Sequence, residues 1–289
     1  MAKTASVVLT QSLSDTKRTT SFNHSTNDDE IPTIDYSMLI CSNDPDQRLK
    51  SLQYLAYVCE EYGFFYLVNH GVPDCVIERA LNGISDFFDL TEEEKKDYEK
   101  KNSTDRIRWG LGFSPGDHEA VKREYLKVLP HPKFEGPAKP AGFREALEDY
   151  YQRNREVIIN LAKAVSKTLG FEENYLEKEF ELETGADVSA MNVYPPGFKP
   201  NTQIGLPAHV LTNGKYKSPM HRVILNNEVR RISVATVHGP SLDTFVKPGP
   251  EFVGESHPPA YRGMIYKDSL EANGYHEIDG KSCMAQLRL

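Results

Sequence analysis

Near residue 185 the hydrophobic pattern of this 289-residue chain changes period, and that change restricts the fold more than any other feature. Before it, apolar residues recur every three to four positions, the spacing that buries one stripe of an α-helix. After it come brief β-like runs, VSAMNVY, KYKS, HRVILN and RISVATV, which suit strands. A helical first half packed on a β-rich second half is an α+β architecture with segregated layers, since no strand–helix–strand alternation runs along the chain.

The helical half can be placed in detail. Residues 46–61 set Leu49, Leu52, Leu55, Ala56 and Cys59 on one face, and Gly63 stops that helix. FFYLV (64–68) reads as a buried strand ahead of the Asn69-His70-Gly71 turn, and IPTIDYS (31–37), with its proline, suits an edge strand. A second helix runs from Pro73, placed for its first turn, to Phe88, burying Val76, Ile77, Ala80, Leu81, Ile84 and Phe88. Thr91 and Glu94 form a capping box for a charged helix reaching about Lys101. Residues 102–142 read as loop-rich with one strand at REYLKVL (123–129); a long helix then spans 143–169 and ends at Gly170. Shorter helices are expected at 173–182 and 258–270. Residues 1–30, rich in Ser and Thr, read as a disordered arm, which divides the chain into 1–30, 31–185 and 186–289.

Composition excludes several classes of partner. A net charge of −8 and a pI near 5.6, with no basic stripe, argue against nucleic acid. No apolar run approaches the ~18 residues of a membrane helix. Cys41, Cys59, Cys75 and Cys283 fall at no metal-like spacing, so a reducing compartment is expected, with the cytoplasm and a monomer as defaults. Cys59, inside the first helical pattern, reads as a buried free thiol.

The residues that carry chemistry lie between 189 and 233. His209 and His221 are of the commonest metal-ligand type, and two histidines with a carboxylate make the facial site of non-haem Fe(II) oxygenases. Arg231 can grip a carboxylate with its planar fork, and Ser233, two residues on, shares its face of a strand. His70 reads as structural, and Trp109 in WGLGF as either a pocket wall or a packing anchor. His118, His131, His238, His257 and His276 lie in loop-like surroundings and are not expected to bind metal.

NVYPP, GLPAH, NGKYKSPMHRV and RRISVAT, in that order, resemble the plant-type 2-oxoglutarate- and Fe(II)-dependent dioxygenases, an isopenicillin N synthase-like family. IPTIDYS, EYGFFYLVNHGVP, FFDLTEEEKK and REYLKVLPHP extend the resemblance over nearly the whole chain after residue 30. It implies a helical region packed on a double-stranded β-helix, or jelly roll. It also implies that His209 and His221 ligate Fe(II), that Arg231 and Ser233 hold the distal carboxylate of 2-oxoglutarate, and that Tyr194 and Asn192 contact the same co-substrate. Ascorbate would be supportive, and the substrate would be a small specialised metabolite that is hydroxylated, demethylated or desaturated while 2-oxoglutarate becomes succinate.

The sequence departs from that family after the first histidine. The family pattern is His-x-Asp; here Val210 and Leu211 follow His209, and several strands that precede the NGKYKS segment in the family are missing. Asn213-Gly214 is a two-residue hairpin signal that would pair Thr212 with Lys215, His209 with Ser218 and Leu206 with His221. The two histidines would then project from opposite faces, about 10 Å apart along the strand. Four absent strands, each burying two or three large apolar side chains, forfeit gross burial on the order of 12 to 36 kcal/mol. An incomplete jelly roll and impaired iron binding are therefore expected. The alternatives are a non-catalytic shortened isoform that at most binds a partner, a halide-accepting site in place of the carboxylate, and a zinc hydrolase or plain two-histidine zinc site.

Overall fold

The computed structural model describes residues 8–13, 31–102, 105–114, 117–195, 203–204, 208–218, 221–222, 228–268 and 288–289. In chain order the elements are β1 (Val8–Leu13), β2 (Thr33–Asp35), α1 (Pro45–Glu61), β3 (Tyr66–Val68), α2 (Asp74–Asp89), α3 (Glu92–Lys95), β4 (Ile107–Ser114) and β5 (Asp117–Val128). They continue with α4 (Phe143–Thr168), α5 (Tyr175–Glu179), β6 (Val188–Tyr194), β7 (Gln203–Ile204), α6 (Ala208–Leu211), β8 (His221–Arg222), β9 (Arg231–Val237), β10 (Phe245–Val246) and β11 (Met264–Ile265).

The helices start and stop where local chemistry dictates. Asp44 accepts the N–H groups of Asp46 and Gln47 at the start of α1, and Gly63, with φ of 73°, follows its end. Thr91 and Glu94 form the reciprocal capping box of α3. That helix is shorter than the charge pattern predicts. Lys95 is drawn inside, its Nζ donating to the Phe88 carbonyl at 3.0 Å and to Glu124 at 2.8 Å, and a single 3-10 turn follows. Leu49, expected on the buried face of α1, is exposed; Leu55, Val58 and Cys59 carry that contact with α4.

Five antiparallel strands form one sheet in the order β1-β9-β6-β5-β4. Helices α2 and α4 cover one face. Phe87, Phe143, Leu147 and Val157 pack there on Trp109, Leu126, Met191, Val193, Ile232 and Val234, so burial of the alternate residues of each strand joins the two layers. Beyond this sheet, the described residues of the second half form the two-stranded ladders β7-β8 and β10-β11.

Three expectations are overturned. Residues 102–142 are not mainly loop: β4 and β5 make a long hairpin that joins the sheet, and WGLGF lies inside β4. Gly110 and Gly112 disguised the strand, yet a Cβ at Gly110 would lie 2.6 Å from the Tyr125 hydroxyl, so the Tyr125 ring packs where glycine leaves the backbone bare. Residues 8–13 of the presumed disordered arm form β1 along β9, from Val8↔Val237 to Leu13↔Ile232. An edge of unpaired N–H and C=O groups accepts any extended segment of β-forming residues, and VLTQSL is one. No helix spans 258–265: Pro258, Pro259 and Gly263 interrupt the period, and Met264–Ile265 pairs with Phe245–Val246 instead. Residues 266–268 of the expected span are helical, and residues 269 and 270 lie outside the described residues. Among the described residues no helix is long and apolar enough to cross a membrane.

A buried polar clamp ties α4 to both central strands. Asp187, just before β6, accepts from the Tyr151 hydroxyl and from His238 Nδ1 at 2.9 Å, with Arg155 Nε at 3.5 Å. Burial alone would raise the Asp187 carboxyl, but His238, Tyr151 and Arg155 together outweigh it and hold its pKa below the usual carboxylate value. A depressed folded pKa stabilises fully above the unfolded value near ~4 and is lost as pH falls through the folded one. Replacing Asp187 with Asn should cost about 3–5 kcal/mol at neutral pH, because it strips the charged partner from a buried cluster. Urea denaturation at stepped pH should show the gap between the two proteins closing as pH falls below ~4; a constant gap would refute this account.

A second test concerns β1. Deleting residues 1–14 removes net hydrogen bonds of about 0.5–1.5 kcal/mol each, against an ordering cost of about 1–2 kcal/mol per residue, so stability should change by only ~2 kcal/mol or less. The exposed β9 edge should instead drive concentration-dependent self-association, readable by light scattering.

Candidate functional site

The antiparallel register of β6 with β9 gathers four of the six expected site residues on one face. Asn192 pairs with Ser233 and Tyr194 with Arg231, two residues along on each strand, so all four side chains leave the sheet opposite α2 and α4. Met191, Val193, Ile232 and Val234 between them turn to the helical core. Arg230 also points away from the site, donating from Nη1 to Asp89 at 2.6 Å and from Nη2 to the Ser85 hydroxyl at 2.6 Å. Neighbouring arginines thus serve opposite faces.

The polar face is built to receive something. Asn192 and Ser233 are 7% and 5% exposed, and Tyr194 is buried with the Arg231 guanidinium 5.7 Å from its ring centroid. Arg231 Nη1 and Asn192 Oδ1 are buried and have no hydrogen-bond partner among the described residues. A guanidinium donor and an amide acceptor left open side by side fit a ligand carrying a carboxylate and a polar group, as 2-oxoglutarate does. Burying such groups unmet costs about 1–3 kcal/mol each.

The metal half is different. His209 lies in α6 and His221 in β8; their side chains lie outside the described residues. The turn predicted at Asn213-Gly214 forms, with φ of 51° and 86° and the Lys215 N–H bonded to the Thr212 carbonyl at 2.9 Å. Asn213 pins it by donating to the carbonyls of Phe252 and Pro258 and accepting from the Ala260 N–H. The strands expected on either side do not form. Residues 208–211 are helical, and His221 pairs with Ile204 rather than Leu206. KYKS is likewise no strand: its Lys217 N–H bonds the Cys59 carbonyl at the end of α1.

Burial explains the helical turn. Val210, fully buried, joins Val246, Tyr261 and Tyr266, while Leu211, 1% exposed, joins Ala162, Leu176, Phe180 and Leu182. Leu211 stands two residues after His209, where the family resemblance implies a carboxylate, and it is packed into an apolar cluster. Among the described residues no group of three or more His, Cys, Asp or Glu is gathered. Among the described residues, Arg231, Ser233, Asn192 and Tyr194 offer groups that fit the 2-oxo acid, and the position two after His209 holds an aliphatic side chain with no donor atom for iron.

Other histidines have local duties. His70 Nδ1 accepts from the Val72 N–H at 3.2 Å, His131 Nε2 lies 2.7 Å from the Glu183 carbonyl, and His238 belongs to the Asp187 clamp. Trp109 is an anchor: it is buried in the core, and its Nε1 donates to Glu124 at 2.6 Å. The sequence reading placed Arg123, Tyr125 and Lys127 on the REYLKVL strand but missed its partner β4, because WGLGF read as loop.

One stability measurement separates a ligand site from a structural one. Arg231→Met should leave stability unchanged or raise it by about 1 kcal/mol, because an open buried donor is removed. A loss above ~2 kcal/mol in chemical denaturation would assign Arg231 to the scaffold instead.

Residues 31–145 match the family model described as the non-haem dioxygenase in morphine synthesis N-terminal region. The 2-oxoglutarate-dependent dioxygenase 19 of Oryza sativa subsp. japonica is 30% identical over 305 positions, covering 90% of each chain. With 90% of 289 residues taking part, about 45 of those 305 positions have no residue of this chain opposite them. Thebaine 6-O-demethylase of Papaver somniferum is 26% identical over 91% of this chain and 86% of its own. The structure of JOX2 in complex with 2OG, Fe and JA shares the fold at a TM-score of 0.75 and 22% identity, covering 90% of this chain and 89% of that one.

Proposed function

The chain belongs to the 2-oxoglutarate-dependent dioxygenases, oxidoreductases that use Fe(II) and 2-oxoglutarate, and we propose that within this family it binds the 2-oxo acid but is impaired in oxidation. The observation that carries this reading is Leu211, buried among Ala162, Leu176, Phe180 and Leu182 where a carboxylate ligand would be needed. An aliphatic side chain offers no donor atom to a metal, and moving it out of that cluster would forfeit about 2 kcal/mol of burial. The number of alignment positions without a counterpart in this chain supports the same reading, in which a block of strands would be missing between His209 and His221.

Arg231 and Ser233 would hold the distal carboxylate of 2-oxoglutarate, with Tyr194 and Asn192 lining its path; His209 and His221 would be the remaining metal ligands. Iron would supply dioxygen activation in an intact member. Two imidazoles without the carboxylate leave the metal weakly held, and the chemistry stops at binding. The natural substrate of the intact form is a small specialised metabolite. Cytoplasmic location and a monomeric state are part of the proposal, in line with the free thiols of Cys41, Cys59 and Cys75.

Anaerobic titration with Fe(II) and 2-oxoglutarate tests the reading. The 2-oxo acid should bind without metal, and Arg231→Met should weaken it about ten- to a hundred-fold, the equivalent of 1.5–3 kcal/mol for a charge-assisted hydrogen bond. No charge-transfer absorption band should develop on adding Fe(II), and no succinate should form in air. A band together with micromolar Fe(II) affinity would overturn the impairment.

A further inference from the structure

One side chain stands where a ligand held by Arg231 and Ser233 would end. The antiparallel register sets Ser233, Asn192, Tyr125 and Gly110 in one row across β9, β6, β5 and β4. Alternation turns that row away from the core row of Trp109, Leu126, Met191 and Val234. Neighbouring strands lie about 4.8 Å apart, so the backbone of Tyr125 is about 10 Å from that of Ser233, with Asn192 between them.

The Tyr125 ring does not stand upright in this row. A Cβ at Gly110 would lie 2.6 Å from its hydroxyl, 2.8 Å from Cζ and 3.2 Å from Cε1, so the ring lies over the bare backbone of β4 and leans away from Asn192. Arg123 and Lys127, two residues before and after it on β5, place a guanidinium carbon and an ammonium nitrogen 5.5 and 5.3 Å from its centroid. Cations at that range are attracted by the ring quadrupole and steady the ring along its own strand. Across the sheet, its position depends on the missing side chain at 110. On the other side of Tyr125, Asn192 Oδ1 is buried with no hydrogen-bond partner among the described residues. Arg231 Nη1, in the next row of β9, is in the same condition. These groups outline a short slot: Arg231 and Ser233 mark one end, the open amide end of Asn192 the middle, and the Tyr125 ring the other end.

We infer that Tyr125, parked over Gly110, sets the length of the acid that the Arg231 face accepts. Of the ~10 Å between Ser233 and Tyr125, about 3.5–4 Å goes to van der Waals contact with the ring, which leaves roughly 6 Å, the extent of a five-carbon chain. A sixth carbon would press on the ring. Bulk at position 110 would do the reverse and push the ring toward the acid. The atoms a Cβ would meet are the far end of a rotatable side chain, so the β4–β5 pairing can persist while the ring swings. Arg123 and Lys127 occupy the space along β5, and the side that remains along the sheet is that of Asn192. Tyr125 is in this sense a specificity-determining residue and not a catalytic one. The inference rests on reading the Arg231 face as the 2-oxo acid site, but length selection and the identity of the acid can fail separately.

The test is calorimetric titration of the full chain with oxaloacetate, 2-oxoglutarate and 2-oxoadipate, and with succinate, glutarate and adipate, which lack the keto group. 2-Oxoglutarate should bind about tenfold more tightly than 2-oxoadipate, the effect of one methylene too many in a closed slot. Tyr125→Ala should erase that difference. Tyr125→Phe should keep it, which guards against a folding defect, and its loss there would overturn the inference, since the ring alone is held to set the length. Gly110→Ala should weaken 2-oxoglutarate binding about tenfold, and adding Tyr125→Ala to it should restore the affinity. A length preference unchanged in Tyr125→Ala, or a Gly110→Ala chain that binds 2-oxoglutarate as the unaltered chain does, would overturn the inference and leave the co-substrate reading standing. A Tyr125-dependent preference for glutarate over adipate, in a chain that gains nothing from the keto group, would uphold the inference and remove the 2-oxo acid reading. No millimolar binding of any of these acids would overturn both.

Discussion

The pairing of β6 with β9 is the constraint on which the rest of the molecule depends. Seven consecutive residue pairs, from Val188↔Val237 to Tyr194↔Arg231, decide at once which side chains meet the helices and which face the site. A slip of one residue would carry Arg231 and Ser233 toward Phe87 and Phe143 and expose Ile232 and Val234. Burial of Ile232, Val234, Met191 and Val193 against α2 and α4 therefore specifies the polar face as firmly as it specifies the core. The Asp187–His238 clamp sits at the end of this ladder and locks the same register to α4.

Beyond that ladder the sheet shows what happens when neighbours are missing. On one side β5 and β4 extend it by a well-paired hairpin. On the other, β9 would present an open row of backbone groups, and the N-terminal segment Val8–Leu13 occupies it. The segment after His209 responds differently: Val210 and Leu211 are claimed by two separate apolar clusters, and a helical turn satisfies both where an extended strand was expected. Burial of apolar side chains thus took precedence over the extended strand that the local pattern suggested.

The candidate site has the logic of a half that survives without its complement. Arg231, Asn192, Ser233 and Tyr194 need only β6 and β9, and both strands are intact. In the proposed reading, iron would need a third donor, and the described residues gather no such ligand group.

By itself, the sequence determined α1, α2, α4 and α5, the capping box of α3, the strands β6 and β9, the family, and the residues that flank the site. Those features rest on local periodicity, side-chain chemistry and spacing, which a linear chain displays openly. The turn at Asn213-Gly214 was legible for the same reason. Only the tertiary structure decided the partners of those elements: that a glycine-rich stretch is a strand because Tyr125 lies across Gly110, that Trp109 anchors the core, that Arg108 and Lys127 share a face with Ser233, and that Leu211 is buried in an apolar cluster. Each of these depends on which distant backbone supplies hydrogen bonds and which distant surface buries a side chain, and such non-local energies have no signature in the order of residues alone.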